Sequence, residues 1–139
     1  MKYTPLHLHS DASLLDGLSK TKDIAKRIVE IDSDGCALTD HGSVSNNVSF
    51  LQEMEKVGKK AVLGIELYIS DDNGSIKTND NRKCSHLVIL AKNDAGWSQI
   101  LKIVAESNKD ENHYYSKPRL SLEQLAEYLD GNIIGFSGF

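Results

Sequence analysis

At 139 residues with 40% hydrophobic side chains, the chain has enough apolar mass for a packed core. A net charge of −4 excludes a general electrostatic grip on a nucleic-acid backbone, because that affinity comes from lysine and arginine neutralising phosphates, although bound cations can reverse the sign locally. Cys36 and Cys84 are too few for a disulfide framework, and with neither a leader-like apolar run nor a stretch near the roughly 20 residues of a membrane span, the expectation is a cytoplasmic protein with reduced thiols and no membrane partner.

Residues 3–9 read as a first strand, followed by the loop "SDASLLDGLS". Alternate side chains of a strand leave on one face, so His7 and His9 would point together, an arrangement that invites a metal. From Thr21, Ile24, Ala25, Ile28 and Ile31 recur at helical spacing until "DSDG" stops the run. "GCALTD" reads as a second strand ending in the polar corner "DHGS". Ser43 or Ser45 can then cap a helix carrying Val44, Val48, Leu51 and Met54 inward, with Gly58 as its stop.

"AVLGIELYIS" is a third strand, "DDNGSIKTNDNRKCS" an exposed loop or hairpin arm, and "HLVILA" a fourth strand. Trp97, Ile100, Leu101, Val104 and Ala105 mark a third helix. Ser121 and Gln124 form a capping box for a fourth, with Leu122, Leu125, Ala126 and Leu129 facing in, and "NIIGFSG" is a fifth strand.

This alternation predicts an α/β fold, a parallel sheet or a barrel, in which the carboxyl ends of the strands carry the chemistry. His7 and His9 close the first strand, Asp40 and His41 the second, and Glu66 sits late in the third. His86 starts its strand, so in a strictly parallel barrel it would face the opposite mouth. If the third and fourth strands instead pair antiparallel across the long polar arm, His86 returns to the same mouth, and this pairing is the expectation.

Singly, each of these residues has an ordinary structural explanation. A strand histidine is more often a hydrogen-bonded core or rim residue than a ligand, and Asp16 before Gly17 is a common turn dipeptide. Together, His7, His9, Asp16, His41 and Glu66 all fall at one set of loop mouths, and a mixture of imidazole and carboxylate suits zinc, manganese or iron better than calcium or magnesium. Cys36 reads as a small core residue; Cys84, two before His86, is either a ligand or a plain thiol. His113 is expected to be solvated on a polar loop, and Arg82 and Lys83 to lie on the surface. Tyr114, Tyr115, Lys117 and Arg119 form an aromatic and basic patch that either stacks a base and holds a phosphate or is simply a solvated loop anchored by Pro118.

The pieces "LHLHSDASLLDGL", "GCALTDHGS", "GIELYIS", "SHLVILAKNDAGW", "YYSKPRL" and "GFSG" span nearly the whole chain. Their order resembles the PHP (polymerase and histidinol phosphatase) domain at the N-terminus of bacterial-type DNA polymerase III alpha subunits. "HLHS" and "TDHG" are shared by many PHP phosphoesterases, whereas "HLVILAKN", then "GW", then "KPR" is particular to the replicative polymerases. The resemblance implies that residues 1–139 are the N-terminal part of a distorted (β/α)7 barrel, cut after about five strands, whose complete form binds up to three divalent metal ions and this portion fewer.

Carried over by motif, His7, His9, Asp16, His41, Glu66 and His86 would be metal ligands, with Asp11 and Asp40 beside them where a carboxylate can fix an imidazole's tautomer. Two departures stand out. Phe139 occupies a position where metal-binding relatives tend to carry Cys or His, and the family's last Asp-x-His pair is absent. The implied activity is a metal-dependent phosphoesterase attached to a replicative DNA polymerase, including 3′–5′ exonuclease proofreading, with this portion alone inactive. Implied partners are DNA reached through the parent polymerase, the remaining polymerase domains and an exonuclease subunit. The alternatives are a non-catalytic module that docks such a subunit and a stand-alone PHP phosphatase.

Overall fold

The structure, a computed structural model, describes residues 3–14, 16–72 and 75–138. Helices α1 (Thr21–Glu30), α2 (Asn47–Lys56), α3 (Asp94–Ser107) and α4 (Leu122–Ala126) accompany strands β1 (Gly35–Leu38), β2 (Lys60–Ile69), β3 (Ser85–Ala91) and β6 (Ile133–Ser137); β4 (Tyr114–Tyr115) and β5 (Lys117–Pro118) form a separate small hairpin. The four longer strands make one open sheet in the order β1-β2-β3-β6. β1 pairs parallel with β2, and β3 runs antiparallel to both β2 and β6. A single reversed strand therefore sits inside an otherwise parallel sheet, and the sheet is mixed instead of strictly parallel.

The antiparallel return expected between the third and fourth strands is present, with Tyr68 opposite His86. Alternation then decides which side chains meet. Ile65, Leu67 and Ile69 of β2 leave on one face and pack, with Ile89 of β3, against Ile100 and Ile103 of α3 and Leu125 of α4. Cys36 and Leu38 of β1 meet Ile24, Ala25 and Ile28 of α1 and Phe50 and Met54 of α2. The other face carries the smaller cluster Ala37, Val88 and Leu90 with Val62 and Phe136, and, further along β2, Glu66 and Tyr68.

Several expectations need correction. Residues 3–9 form no strand ladder and bend at 6–7. Ala37 N donates to Pro5 O at 2.8 Å and Thr39 N to Leu8 O at 2.9 Å, so three residues on one side oppose two on the other. Proline has no N–H to return, and the extra residue becomes a bend at 6–7. α2 begins at Asn47, capped by neither Ser43 nor Ser45, and turns Asn47, Phe50 and Met54 inward while Val48 is exposed. Asn46 sets that start: its amide donates to Ser10 Oγ and Asp11 Oδ1, each at 2.9 Å.

α3 buries Gly96, Ile100, Ile103 and Ser107, leaving Leu101 and Ala105 on the exposed side. The capping box of Ser121 and Gln124 is present, but α4 ends at Ala126, so of its expected inward residues only Leu125 is buried; Leu122, Ala126 and Leu129 are exposed. Gly58, at φ +66, takes the left-handed conformation that ends α2. The polar arm at 71–83 holds one short 3-10 turn, Asp80–Arg82; its Asn-Gly pair and Phe139 lie outside the described residues. Among the described residues, no helix is long and apolar enough to cross a membrane.

Candidate metal centre

The centre is assembled from four pieces of chain. The segment bearing His7 and His9 is held against β1 by its two backbone bonds and by Thr39 Oγ1, which accepts from Leu8 N at 3.0 Å. His41 follows β1, where Glu66 N donates to Asp40 O and Gly42 N to Glu66 O, extending the parallel pairing one step past the strand. Glu66 points off the inner face of β2, and His86 comes in on β3 from the opposite direction.

Around the Glu66 carboxylate, 1% exposed, four imidazoles converge. His7 Nε2 lies 2.5 Å and His9 Nε2 3.4 Å from Oε2; His41 Nδ1 lies 2.7 Å and His86 Nδ1 2.9 Å from Oε1. The other nitrogen of His41, Nε2, is 2.6 Å from Asp16 Oδ2. The rings pack on one another as well, with His9 stacked on His41 at 4.1 Å between centroids and His7 edge-on to His9 at 4.9 Å. Burial by itself would raise the Glu66 carboxyl, but hydrogen bonds from His9 and His7 and the charges of His41 and His86 bring it down to about 2. The Glu66 hydrogen bond outweighs burial to raise His9, while burial outweighs Glu66 to lower His86.

This donor set suits a divalent cation. His41 Nδ1 and Glu66 Oε1 are buried at 2.7 Å, yet neither makes a hydrogen bond among the described residues. A neutral imidazole has one N–H, so His41 can donate to only one of its two carboxylates; a cation held by these residues would take up the remaining lone pairs. The ligand atoms of His7, His9 and Glu66 lie within 4.8 Å of one another, close enough to share one ion.

Among the described residues, Asp40 and Asp11 show no hydrogen bond or ion pair to an imidazole. Asp40, fully buried, accepts from Ser10 N at 2.6 Å, Ser10 Oγ at 2.7 Å and Ser13 Oγ at 2.8 Å. The one proton of Ser13 Oγ goes to Asp40, so toward His9 Nδ1, at 3.5 Å, this hydroxyl can only accept. Asp40 thus acts on His9 through Ser13, holding a proton on Nδ1, so that Nε2 donates to Glu66 when the ring is protonated and would offer a lone pair to a cation when it is neutral. The Cβ of any residue other than glycine at 17 would fall 1.7 Å from Ser10 O, so Gly17 lets the loop fold this closely.

The model of the PHP domain matches residues 5–138. The chain belongs to the PHP domain family. Among relatives of this PHP chain, the DNA polymerase III alpha subunit of Borreliella burgdorferi is 35% identical over 134 residues, covering 95% of this chain and 12% of the relative; that of Helicobacter pylori strain J99 is 34% identical over 131 residues, covering 94% and 11%. The PHP chain therefore spans about an eighth of the length of these relatives. Two solved structures share its fold: an amidohydrolase from Chromobacterium violaceum (21% identity, TM-score 0.52, 76% of this chain and 35% of the other) and a protein assigned as a metal-dependent phosphoesterase from Bifidobacterium adolescentis (17%, TM-score 0.50, 71% and 32%). The open four-stranded sheet is consistent with part of a barrel of this kind.

The basic patch of the PHP chain is divided by the structure. Arg119 is buried, against expectation: its guanidinium lies 5.4 Å from the Tyr115 ring centroid and donates to Tyr115 O, leaving Lys117 and Tyr114 as the exposed members. His113 is also inside instead of solvated, with Nδ1 3.0 Å from Asp110 Oδ1 and Nε2 3.0 Å from the Gln124 amide. Cys84 is half-buried and falls outside the His7, His9 and Glu66 group.

Tyr68 is a site residue that motif reading passed over, although it lies two after Glu66 and so on the same face of β2. It is nearly buried, stacks with His41 at 6.0 Å, meets His86 edge-on at 5.1 Å and carries the Lys117 ammonium 4.1 Å from its ring centroid. Burial raises its phenol, partly offset by a hydrogen bond from Lys117. Ser13 carries no comparable signal in the sequence.

Proposed function

We propose that this PHP chain is the metal-binding portion of a phosphoesterase-type domain carried by a replicative DNA polymerase III alpha subunit. The observation that carries the reading is the convergence of His7, His9, His41 and His86 on the single buried carboxylate of Glu66. His7, His9 and Glu66 would hold one divalent ion of the zinc, manganese or iron type, and His41, with Asp16 and His86, a neighbouring one. Ions so held would supply a water acidified toward neutral pH and positive charge for phosphoryl oxygens.

The side chains themselves bind and orient. Glu66 offers one oxygen to each half of the site, Ser13 holds the His9 ring, and Asp16 holds His41 from solvent. Such a centre needs no serine or cysteine nucleophile, and removal of 3′ nucleotides is the reaction that fits a polymerase context. The alternative, a docking module that kept the fold and lost the ions, differs in metal content.

Elemental analysis of protein purified without added metal, beside a His7→Ala, His9→Ala variant, decides between them. The expected result is about one or more equivalents of a transition metal in the natural chain and a clear loss in the variant. Equal, trace contents in both would leave the docking reading.

A further inference from the structure

The hairpin β4–β5 is too short to be stable by itself, with only Tyr114 opposite Pro118 and Tyr115 opposite Lys117. It is nonetheless fixed from below. Arg119 N donates to His113 O at 2.8 Å, its buried guanidinium donates to Tyr115 O, Leu120 N donates to Tyr68 O at 3.1 Å, and Ser70 N to Leu120 O at 3.0 Å. The apex residue Ser116 takes φ +64, an uncommon conformation for a residue with a Cβ, and this turns the chain back on itself. The hairpin thereby stands at the end of β2, beside the metal centre.

What it presents there is Lys117. The residue is exposed, its ammonium rests over Tyr68 as described, and it has no carboxylate partner among the described residues. It lines a recess of about 460 Å³ together with Ser116, Tyr68, His41, Ser43 and Ser45. A cation without a carboxylate partner among the described residues, sharing one recess with serine hydroxyls and a candidate metal ligand, fits an anion.

We propose that Lys117, presented over Tyr68 by the β4–β5 hairpin, is the protein's own phosphate contact: it grips a non-bridging oxygen of a phosphate group whose other side faces the metal centre. This rests on the phosphoesterase reading for the identity of the substrate, but not for the binding of phosphate itself. Arg119 is then a positioning residue, buried so that Lys117 is not.

The test is calorimetric titration of inorganic phosphate into the full chain, natural and Lys117→Met, with and without manganese, and metal content measured on each sample. Methionine removes the charge and keeps an apolar stem on Tyr68, so the fold is retained; Lys117→Arg keeps the charge. The expected result is phosphate affinity lower by about tenfold or more in Lys117→Met, the size of a lost charge-assisted hydrogen bond, with unchanged metal content and most of the affinity kept in Lys117→Arg.

Equal affinity in Lys117→Met, or no phosphate binding by the natural chain in either condition, overturns the inference. If the natural chain holds no metal but loses phosphate binding on Lys117→Met, the lysine's role stands and the phosphoesterase reading fails. If metal is held and Lys117→Met changes nothing, the reverse holds.

Discussion

Single side chains in this protein are governed by what surrounds them more than by their own chemistry. Glu66 is the clearest case: one carboxylate in the middle of a strand becomes the meeting point of four histidines because three chain segments end beside it. The two cysteines show the same dependence and allow a direct check. Cys36 is fully buried in the α1–α2 cluster, and that burial pushes its thiol up to about 12, so at mildly alkaline pH almost no thiolate is present and no reagent reaches it. Cys84 is half-buried on the edge of the polar arm. Mass spectrometry after brief alkylation of the native chain should find the label on Cys84 and not on Cys36, with both labelled in denaturant; modification of Cys36 in the native chain would show that the α1–α2 layer is not closed.

At the scale of elements, the periodicities located the four α-helices and the inward stripe of α1, where Ile24, Ala25 and Ile28 are buried, but misjudged part of the stripe in α2, α3 and α4. In α3 the run Trp97, Ile100, Leu101, Val104 and Ala105 fits a helical face on paper, yet the sheet meets the face through Gly96, Ile100 and Ile103. Gly96 has no room for a Cβ, which would come 2.1 Å from Asn132 O, and this close contact sets the rotation of the helix. Hydrophobicity does not encode such an approach, so the stripe was legible only to within about one residue.

The same holds for residues 3–9: the pointing of His7 and His9 was readable from spacing, whereas the loss of the ladder depends on Pro5 and a bend. Chemical denaturation can check the assignment in α3. Ile103→Ala removes a fully buried side chain and should cost about 2–5 kcal/mol, while Leu101→Ala, at an exposed site, should stay within about 0.5 kcal/mol of the natural chain. Comparable losses at both positions would mean that α3 is rotated.

Across the whole molecule, the helices that pack on the sheet cover one face and leave the other, with Phe136 half-buried and Ile134 exposed, facing the inner side on which Glu66 and its four histidines sit. Residues 3–14 are joined to this frame by hydrogen bonds to β1, Asp40 and Asn46, by Leu8 against the α1–α2 cluster and by the histidines themselves. That arrangement would couple metal binding to folding. An ion shared by His7, His9 and Glu66 would tie the N-terminal segment to the middle of the sheet, and whatever binds only the folded state stabilises it, by about 2.7 kcal/mol at a free concentration one hundred times the dissociation constant.

For this size of chain such a gain is worth several degrees in unfolding temperature. Calorimetric scans of the chain stripped with a chelator and then supplied with manganese or zinc should therefore show the midpoint rising with metal concentration. Glu66→Gln, which keeps the shape but removes the charge and one class of ligand oxygen, should show little or no rise. Since four imidazoles lose their shared anion in that variant, its metal-free midpoint should also fall below that of the natural chain; identical metal dependence in both proteins would mean that the histidines and Glu66 meet for structural reasons and hold no ion.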